Sequence, residues 1–263
     1  MKLSGKVAIV TGGSRGIGKA TAKMFAQEGA NVTITAKDPK RLEKAANDIG
    51  NVYSIPGDIQ NESDVQNVVK KTKDEFGRID ILVNNAGIFP QVKPLHQISE
   101  QEWNEVIDVN LTGPFRFTKA VIPFMEKNGG SIINISSNAG LKAFENFEAD
   151  AYTASKGALV LLTKAWAVEY AKSKIRVNCV CPGMVETDMT KPYLDSESAR
   201  KMAAAEHPIG RIGNVDDVVK AILYFASDDS SWTTGAILAL DVGPPLNKSQ
   251  TNQINTSILH FPL

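Results

Sequence analysis

Seven short runs rich in Val and Ile recur at 6–11, 31–35, 52–55, 79–84, 131–136, 175–180 and 236–240. Between them lie stretches of helical period at 17–28, 62–76, 101–111, 114–127, 153–171 and 216–226. This alternation limits the fold more than any other feature. Strands written as continuous apolar runs need cover on both faces, and helices returning between them supply it by packing on each side of a parallel sheet. A single-domain, doubly wound α/β architecture is expected. With 263 residues, 43% of them hydrophobic, the chain can bury one large core near the upper size of a domain. Residues 1–245 read as that domain. Residues 246–263, polar and irregular before a final apolar "ILHFPL", read as a C-terminal tail.

The 29 Lys and Arg balance 29 Asp and Glu, which leaves no basic face for nucleic acid and no acidic excess for disorder. The N-terminal apolar run is broken by Gly5 and Lys6, and the longest run elsewhere, "ALVLL" at 158–162, is too short for a bilayer. A small-molecule partner, no membrane and a cytoplasmic, unexported chain are expected. Cys179 and Cys181 alternate along one strand and share a face, which suits two buried thiols in a reducing compartment better than a disulfide or a metal site. His96, His207 and His260 lack ligand spacing, so no metal is expected. Trp103, Trp166 and Trp232 read as core or subunit contacts.

The first strand ends in "TGGSRGIGKA", with Gly12, Gly16 and Gly18 between strand and helix. Glycines there let the backbone approach a pyrophosphate, and the following helix start offers free N–H groups and a positive dipole end. In open α/β sheets ligands bind beyond the carboxyl ends of the strands, where helices begin. That rule separates two pairs of equal spacing, Tyr152 with Lys156 and Tyr170 with Lys174. Tyr152 opens its helix, whereas Tyr170 closes it about 27 Å further on at 1.5 Å per residue. Lys174 reads as a cation complementing the helix C-terminus.

Seven segments in this order, "TGGSRGIG" (11–18), "GDI" (57–59), "NNAG" (84–87), Asn110 in "DVNLTGPF", "SIINISS" (131–137), "YTASK" (152–156) and "PGMVET" (182–187), resemble the short-chain dehydrogenase/reductase family across about residues 3–243. The resemblance implies a Rossmann fold and hydride transfer between a nicotinamide cofactor and a carbonyl or secondary alcohol. It also implies a catalytic tetrad of Asn110, Ser137, Tyr152 and Lys156. Tyr152 would be the general acid in reduction and the base in oxidation. A free tyrosine titrates near 10, and lowering that by about three units needs about 4 kcal/mol of phenolate stabilisation. Lys156, one helical turn away, would supply part, and an oxidised nicotinamide a further part in the oxidative direction. Ser137, at the carboxyl end of its strand, would hold the substrate oxygen; Ser136 ranks second because alternation turns neighbours apart. Asn110 alone reads as an amide that caps or interrupts a helix; the resemblance has it hold water beside Lys156. Cofactor contacts carry over to Gly12, Ser14, Arg15, Gly16, Ile17 and Gly18 in the loop, Lys37 beyond the second strand, and Asp58 and Ile59 near adenine. They continue through Asn85, Ala86 and Gly87 along the ribose, Tyr152 and Lys156, and Pro182, Gly183, Val185 and Thr187 around the carboxamide. Asn84 and Gly87 also read as turn formers. The family is usually tetrameric, with helices matching 114–127 and 153–171 packed across one interface. Apolar residues on several faces of 157–168 agree.

The residue ending the second strand of such folds selects the coenzyme, because an acid there binds the ribose hydroxyl and repels a 2′-phosphate. Here it is Ala36, followed by Lys37, with Arg15 in reach, so NADP(H) is expected over NAD(H). Asp38 reads as a helix N-cap, with Pro39 at a favoured first helical position. The segment 184–212 takes the place of the family's substrate lid and is similar to that of 3-oxoacyl-carrier-protein reductases, which makes a 3-oxoacyl thioester the expected substrate. Where those reductases often carry docking arginines, "KNGGS" and "AKSKI" offer lysines and glycines, and their usual "VDGG" is "LDVGPP". Sugar, polyol or other small-alcohol dehydrogenation is the alternative within the family. A non-catalytic NADP(H)-sensing protein is the alternative outside it, opposed by the intact tetrad, since a sensor has no need of Lys156 beside Tyr152.

Overall fold

Every residue of the first strand, β1 (Val7–Thr11), is buried, as expected of a strand with neighbours and helices on all sides. The computed structural model describes residues 1–144 and 147–240. The expected boundary at 245 and the tail 246–263 lie outside them. The elements follow as α1 (Gly16–Gln27), β2 (Asn31–Thr35), α2 (Pro39–Ile49), β3 (Val52–Ser54), α3 (Glu62–Phe76), β4 (Ile81–Asn84), α4 (Glu100–Ile107) and α5 (Gly113–Met125). β5 (Gly130–Ile135), α6 (Asp150–Glu169), β6 (Ile175–Cys181), α7 (Glu197–Ala205), α8 (Val215–Ala226) and β7 (Ile237–Ala239) complete the order.

The seven strands pair in parallel in the order β3-β2-β1-β4-β5-β6-β7. The order reverses between β1 and β4, and the crevice at their carboxyl ends is where such a fold binds ligand. Alternate residues of β1 feed opposite layers: Ala8 and Val10 join Ala22, Phe25, Leu42, Val218 and Ile222 of α1, α2 and α8. Ile9 faces the other way, toward Val68 of α3, Phe117 of α5 and Leu159 of α6. A buried side chain of this size contributes roughly 1.5–3 kcal/mol, so a register slip of one residue would forfeit both layers.

Five helix starts, those of α2, α3, α4, α7 and α8, are marked by side-chain caps. Asp38 accepts a hydrogen bond from the Arg41 amide at 3.0 Å with Pro39 at the first helical position, and Asn61 caps α3. Ser99 with Glu102 and Asn214 with Asp217 form capping boxes on α4 and α8. α1 has no side-chain cap. Two local features depart from the periodicity. The helix expected over 101–111 ends at Ile107 and passes through a π-helical turn, Asp108–Thr112, before α5. Pro114 has no amide to bond the carbonyl four residues back, and the Gly113 amide reaches five residues back to Asp108. α7 lies within 184–212, read only as a lid; its Ser196 cap is present, but its alanine-rich sequence lacks a broad apolar stripe. No helix among the described residues is long and apolar enough to cross a membrane.

Candidate active site

At the carboxyl ends of β1 and β4 the backbone opens into a cleft of about 430 Å³. Its floor is the glycine loop. Gly12 and Gly16 hold φ of +66° and +52°, conformations that side chains rarely adopt, and a Cβ on Gly12 would fall 2.9 Å from the Ala86 Cα. A Cβ on Gly18 would run into the Gly12 carbonyl oxygen, so Gly18 packs beneath the loop and does not line the cleft. Thr11 and Asn85 tie the two strands at this point. The Thr11 hydroxyl accepts from the Asn85 and Ala86 amides at 2.9 and 3.0 Å, and the Asn85 side chain donates to the Thr11 carbonyl at 2.9 Å. Asn85 lines the rim of the cleft with its side-chain nitrogen held by Thr11. The loop, the bare helix start and this rim form a cradle that suits the diphosphate of a dinucleotide cofactor.

Ser14, Arg15, Gly16, Ile17, Lys37, Asp58, Ile59, Ala86, Gly87, Pro182, Gly183, Val185 and Thr187 all line the same cleft, brought there from five separate strand ends. Asp38, Arg41, Ile88, Met189 and Thr190 line it too, and the sequence pattern did not mark Arg41 or the two lid residues. Lys37 pairs with Asp58 at 2.8 Å. Burial raises the Asp58 pKa, but Lys37, the Gln60 amide and Arg116 outweigh it and hold the carboxyl below its ordinary range. Arg15 stands 4.0 Å from Asp188, so the lid reaches across to the glycine loop. The Thr190 hydroxyl donates to the Val185 carbonyl at 2.6 Å and fixes the lid's first turn.

Tyr152 and Lys156 project from the first turns of α6, and Ser137 sits just past β5. The Ser137 hydroxyl, which donates to the Asn138 side-chain oxygen at 3.1 Å, lies beside the Tyr152 phenol; burial raises the Tyr152 pKa and Ser137 opposes it. Ser136 is otherwise employed, donating to the Lys156 carbonyl at 2.8 Å. The Lys156 ammonium donates to the Ile135 carbonyl at 2.9 Å and lies 5.6 Å from the centre of the Tyr152 ring. Burial lowers its pKa to about 8. Asn110 is fully buried behind the cleft wall. Its amide clasps the Ile88 backbone in both directions, at 2.8 and 2.9 Å, and Gly87 separates its oxygen from Lys156. Tyr170, by contrast, lies at the far end of α6 among side chains of the layer beneath the sheet.

Cys179 and Cys181 are free, buried and 3.6 Å apart on one face of β6. Cys181 and burial push the Cys179 thiol up. Among the described residues no three His, Cys, Asp or Glu come together as metal ligands. Trp166 is 8% exposed in the core, whereas Trp232 is 99% exposed.

Residues 12–244 match the family model described as enoyl-(acyl carrier protein) reductase. The chain is 42% identical over 248 residues to 3-oxoacyl-(acyl-carrier-protein) reductase of Thermotoga maritima, covering 92% of this chain and 99% of that one. It is 40% identical over 244 residues to 2-(R)-hydroxypropyl-CoM dehydrogenase of Xanthobacter autotrophicus, covering 90% and 97%. The crystal structure of a short-chain type dehydrogenase/reductase from Mycobacterium marinum superposes with a TM-score of 0.87 at 34% identity, over 94% of this chain and 98% of that one. Sequence, fold and cleft agree, and the chain belongs to the short-chain dehydrogenase/reductase family, whose members use a nicotinamide nucleotide to interconvert carbonyls and alcohols.

Proposed function

We propose that the protein is an NADP(H)-dependent reductase of 3-oxoacyl thioesters, with Tyr152 as proton donor, Ser137 as the holder of the substrate oxygen and Lys156 as the charge that stabilises the phenolate. The observation that carries this reading is the meeting of Tyr152, Ser137 and Lys156 at one end of a glycine-floored cleft. The nicotinamide, when bound, supplies the hydride. The chain does the rest. Burial raises the Tyr152 pKa in the free protein, opposite to the lowering expected from the sequence, so the phenol holds its proton at neutral pH and its strength as an acid depends on Lys156 stabilising the tyrosinate as it forms. As negative charge develops on the substrate oxygen, the phenol proton moves to it, the carbonyl becomes an alcohol, and tyrosinate remains. Lys156, lowered only to about 8, is still mostly protonated at pH 7 and stabilises that anion. Ser137 donates to the same oxygen, held in place by the Ala139 amide, which donates to its hydroxyl at 3.1 Å. Asn110 positions this group by tying the π-turn to the loop that carries Gly87 and Ile88.

Support for NADP(H) comes from the cations at the end of β2. Lys37 and Arg41 line the cleft with Arg15, while the Asp38 carboxylate is engaged at the start of α2. The thioester reading draws on the similarity to 3-oxoacyl reductases, and the cytoplasm as location on the paired reduced thiols of β6. The test is a rate screen of acetoacetyl thioesters, diketones and aldoses with each coenzyme. Thioester reduction with kcat/KM about tenfold or more above that with NADH is expected for NADPH. Turnover of aldoses alone would replace the reading by a sugar dehydrogenase, and tight coenzyme binding without turnover of any carbonyl would favour a sensor.

A further inference from the structure

We infer that the substrate carries a flat apolar group, an aryl or comparable ring, next to the reacting carbonyl, and that Phe89, Phe147 and Tyr193 form the wall that selects it. The inference rests on the carbonyl-reductase reading above and narrows it. Three distant segments bring these rings to Tyr152. Phe89 comes from the loop after β4, Phe147 with Phe144 from the connection between β5 and α6, and Tyr193 from the turn Lys191–Tyr193 beyond β6. Phe89 meets the Tyr152 ring edge-on, with centroids 4.9 Å apart and planes at 70°. Phe147 stands 6.5 Å from Tyr152 and 5.7 Å from Phe89, and Tyr193 closes on Phe89 at 6.0 Å and 83°.

These rings do not hold the fold together. The chain has only 18 aromatic residues, yet five of them gather here, and none of the five belongs to the two large apolar clusters that pack against the sheet. Phe89, Phe144 and Phe147 are only half-buried, and Tyr193 is 49% exposed. Apolar surface left open around a proton donor gains most from a partner that completes the packing. Offset and edge-to-face rings attract one another beyond simple area burial. A polyol could lay only its C–H faces on the rings, and its hydroxyls would need polar partners that ring faces do not supply. A short alkyl chain would fit but leave ring surface uncovered.

The experiment compares kcat/KM for the benzoylacetyl and acetoacetyl thioesters of N-acetylcysteamine, with phenylpropanedione as an aryl ketone that has no thioester. A preference for the benzoylacetyl thioester of about tenfold or more is expected. Phe147→Leu and Tyr193→Leu should each lower that preference about fivefold, mainly through KM, and Phe147→Tyr should restore most of it. Equal or better use of the acetoacetyl thioester would overturn the inference and leave the thioester reading in place. So would variants that slow both thioesters equally. Refusal of both thioesters with Tyr152-dependent reduction of phenylpropanedione would uphold the aromatic wall and remove the thioester from the proposed function.

Discussion

Lys156 is 5% exposed, and its ammonium has one hydrogen-bond acceptor among the described residues, the Ile135 carbonyl. Burial is the main reason its pKa falls from 10.5 to about 8, a difference worth about 3 kcal/mol against the charged form. Below about pH 8 both folded and unfolded chains hold this proton and the penalty is complete; between about 8 and 10.5 the unfolded chain holds more protons, so stability rises with pH there. Lys156→Met removes the penalty and loses the bond to Ile135, itself worth about 1 kcal/mol. The free protein should therefore gain about 1–2 kcal/mol at pH 7, with the gain fading by about pH 10, while turnover collapses. Urea denaturation at the two pH values checks this; a less stable Met variant at pH 7 would show that the ammonium is well solvated where it lies. Four residues earlier, Tyr152→Phe should cut turnover about a hundredfold or more with coenzyme affinity nearly intact, because only the transferable proton is lost. Tyr170→Phe, at the other end of α6, should be mild. Equal losses in steady-state rates from the two substitutions would reverse the assignment.

Strands and helices were legible in the sequence because continuous runs rich in Val and Ile mark strands covered on both faces and a 3.6-residue period marks the helices between them. β2 occupies the expected span, α3 runs from Glu62 to Phe76 as read, and most other ends shift by one to three residues. The parallel sheet then told helix starts from helix ends, which is why Tyr152 was separable from Tyr170. What the pattern did not carry depends on contacts between segments distant in sequence. The π-turn at Asp108–Thr112 exists with Asn110 clasped to Ile88 across 22 residues. Asn85 lines the cleft, and the bond from its side-chain nitrogen to Thr11, 74 residues away, is a tie that no local pattern carries. Arg41 carries no signal of its own in the sequence, and the first turn of α2 brings it to the cleft. That first turn matters to coenzyme choice. Arg15 follows β1, Lys37 follows β2, and the Asp38 carboxylate that would repel a 2′-phosphate is engaged by the Arg41 amide. Arg15→Ala with Lys37→Ala should remove about 2–4 kcal/mol of NADPH binding and barely change NADH. The loss measures what remains after Lys37 leaves Asp58, its partner in the free protein. Calorimetric titration of both coenzymes is the check, and a wild-type preference for NADH would mean that Asp38 turns from its cap to the ribose.

α5 and α6 lie on one face of the sheet and bury one side each, yet their outer sides are not those of helices facing water. Phe115 and Phe124 on α5 are 47% and 38% exposed, and Leu161 and Val168 on α6 are 67% and 81% exposed. Leu161, Ala165 and Val168 follow at spacings of four and three, so they form one stripe along α6. Exposed apolar residues in helical register mark a surface that another chain covers, and we propose that four copies assemble through these two helices. Such an interface would steady the chemistry as well, because α6 carries Tyr152 and Lys156 at its other end and has no side-chain cap to fix its start. Leu161→Glu with Val168→Glu places two carboxylates from each copy into an apolar contact, at a cost of about 2 kcal/mol or more per unpaired group. Sedimentation velocity should find a tetramer in the wild type and smaller species in the double variant. Turnover per chain should fall with dissociation and recover in part at higher protein concentration, as mass action requires. A wild type that sediments as a monomer at every concentration would sink the proposal. A dissociated variant with full turnover would show instead that α6 keeps its catalytic end in place through the sheet alone.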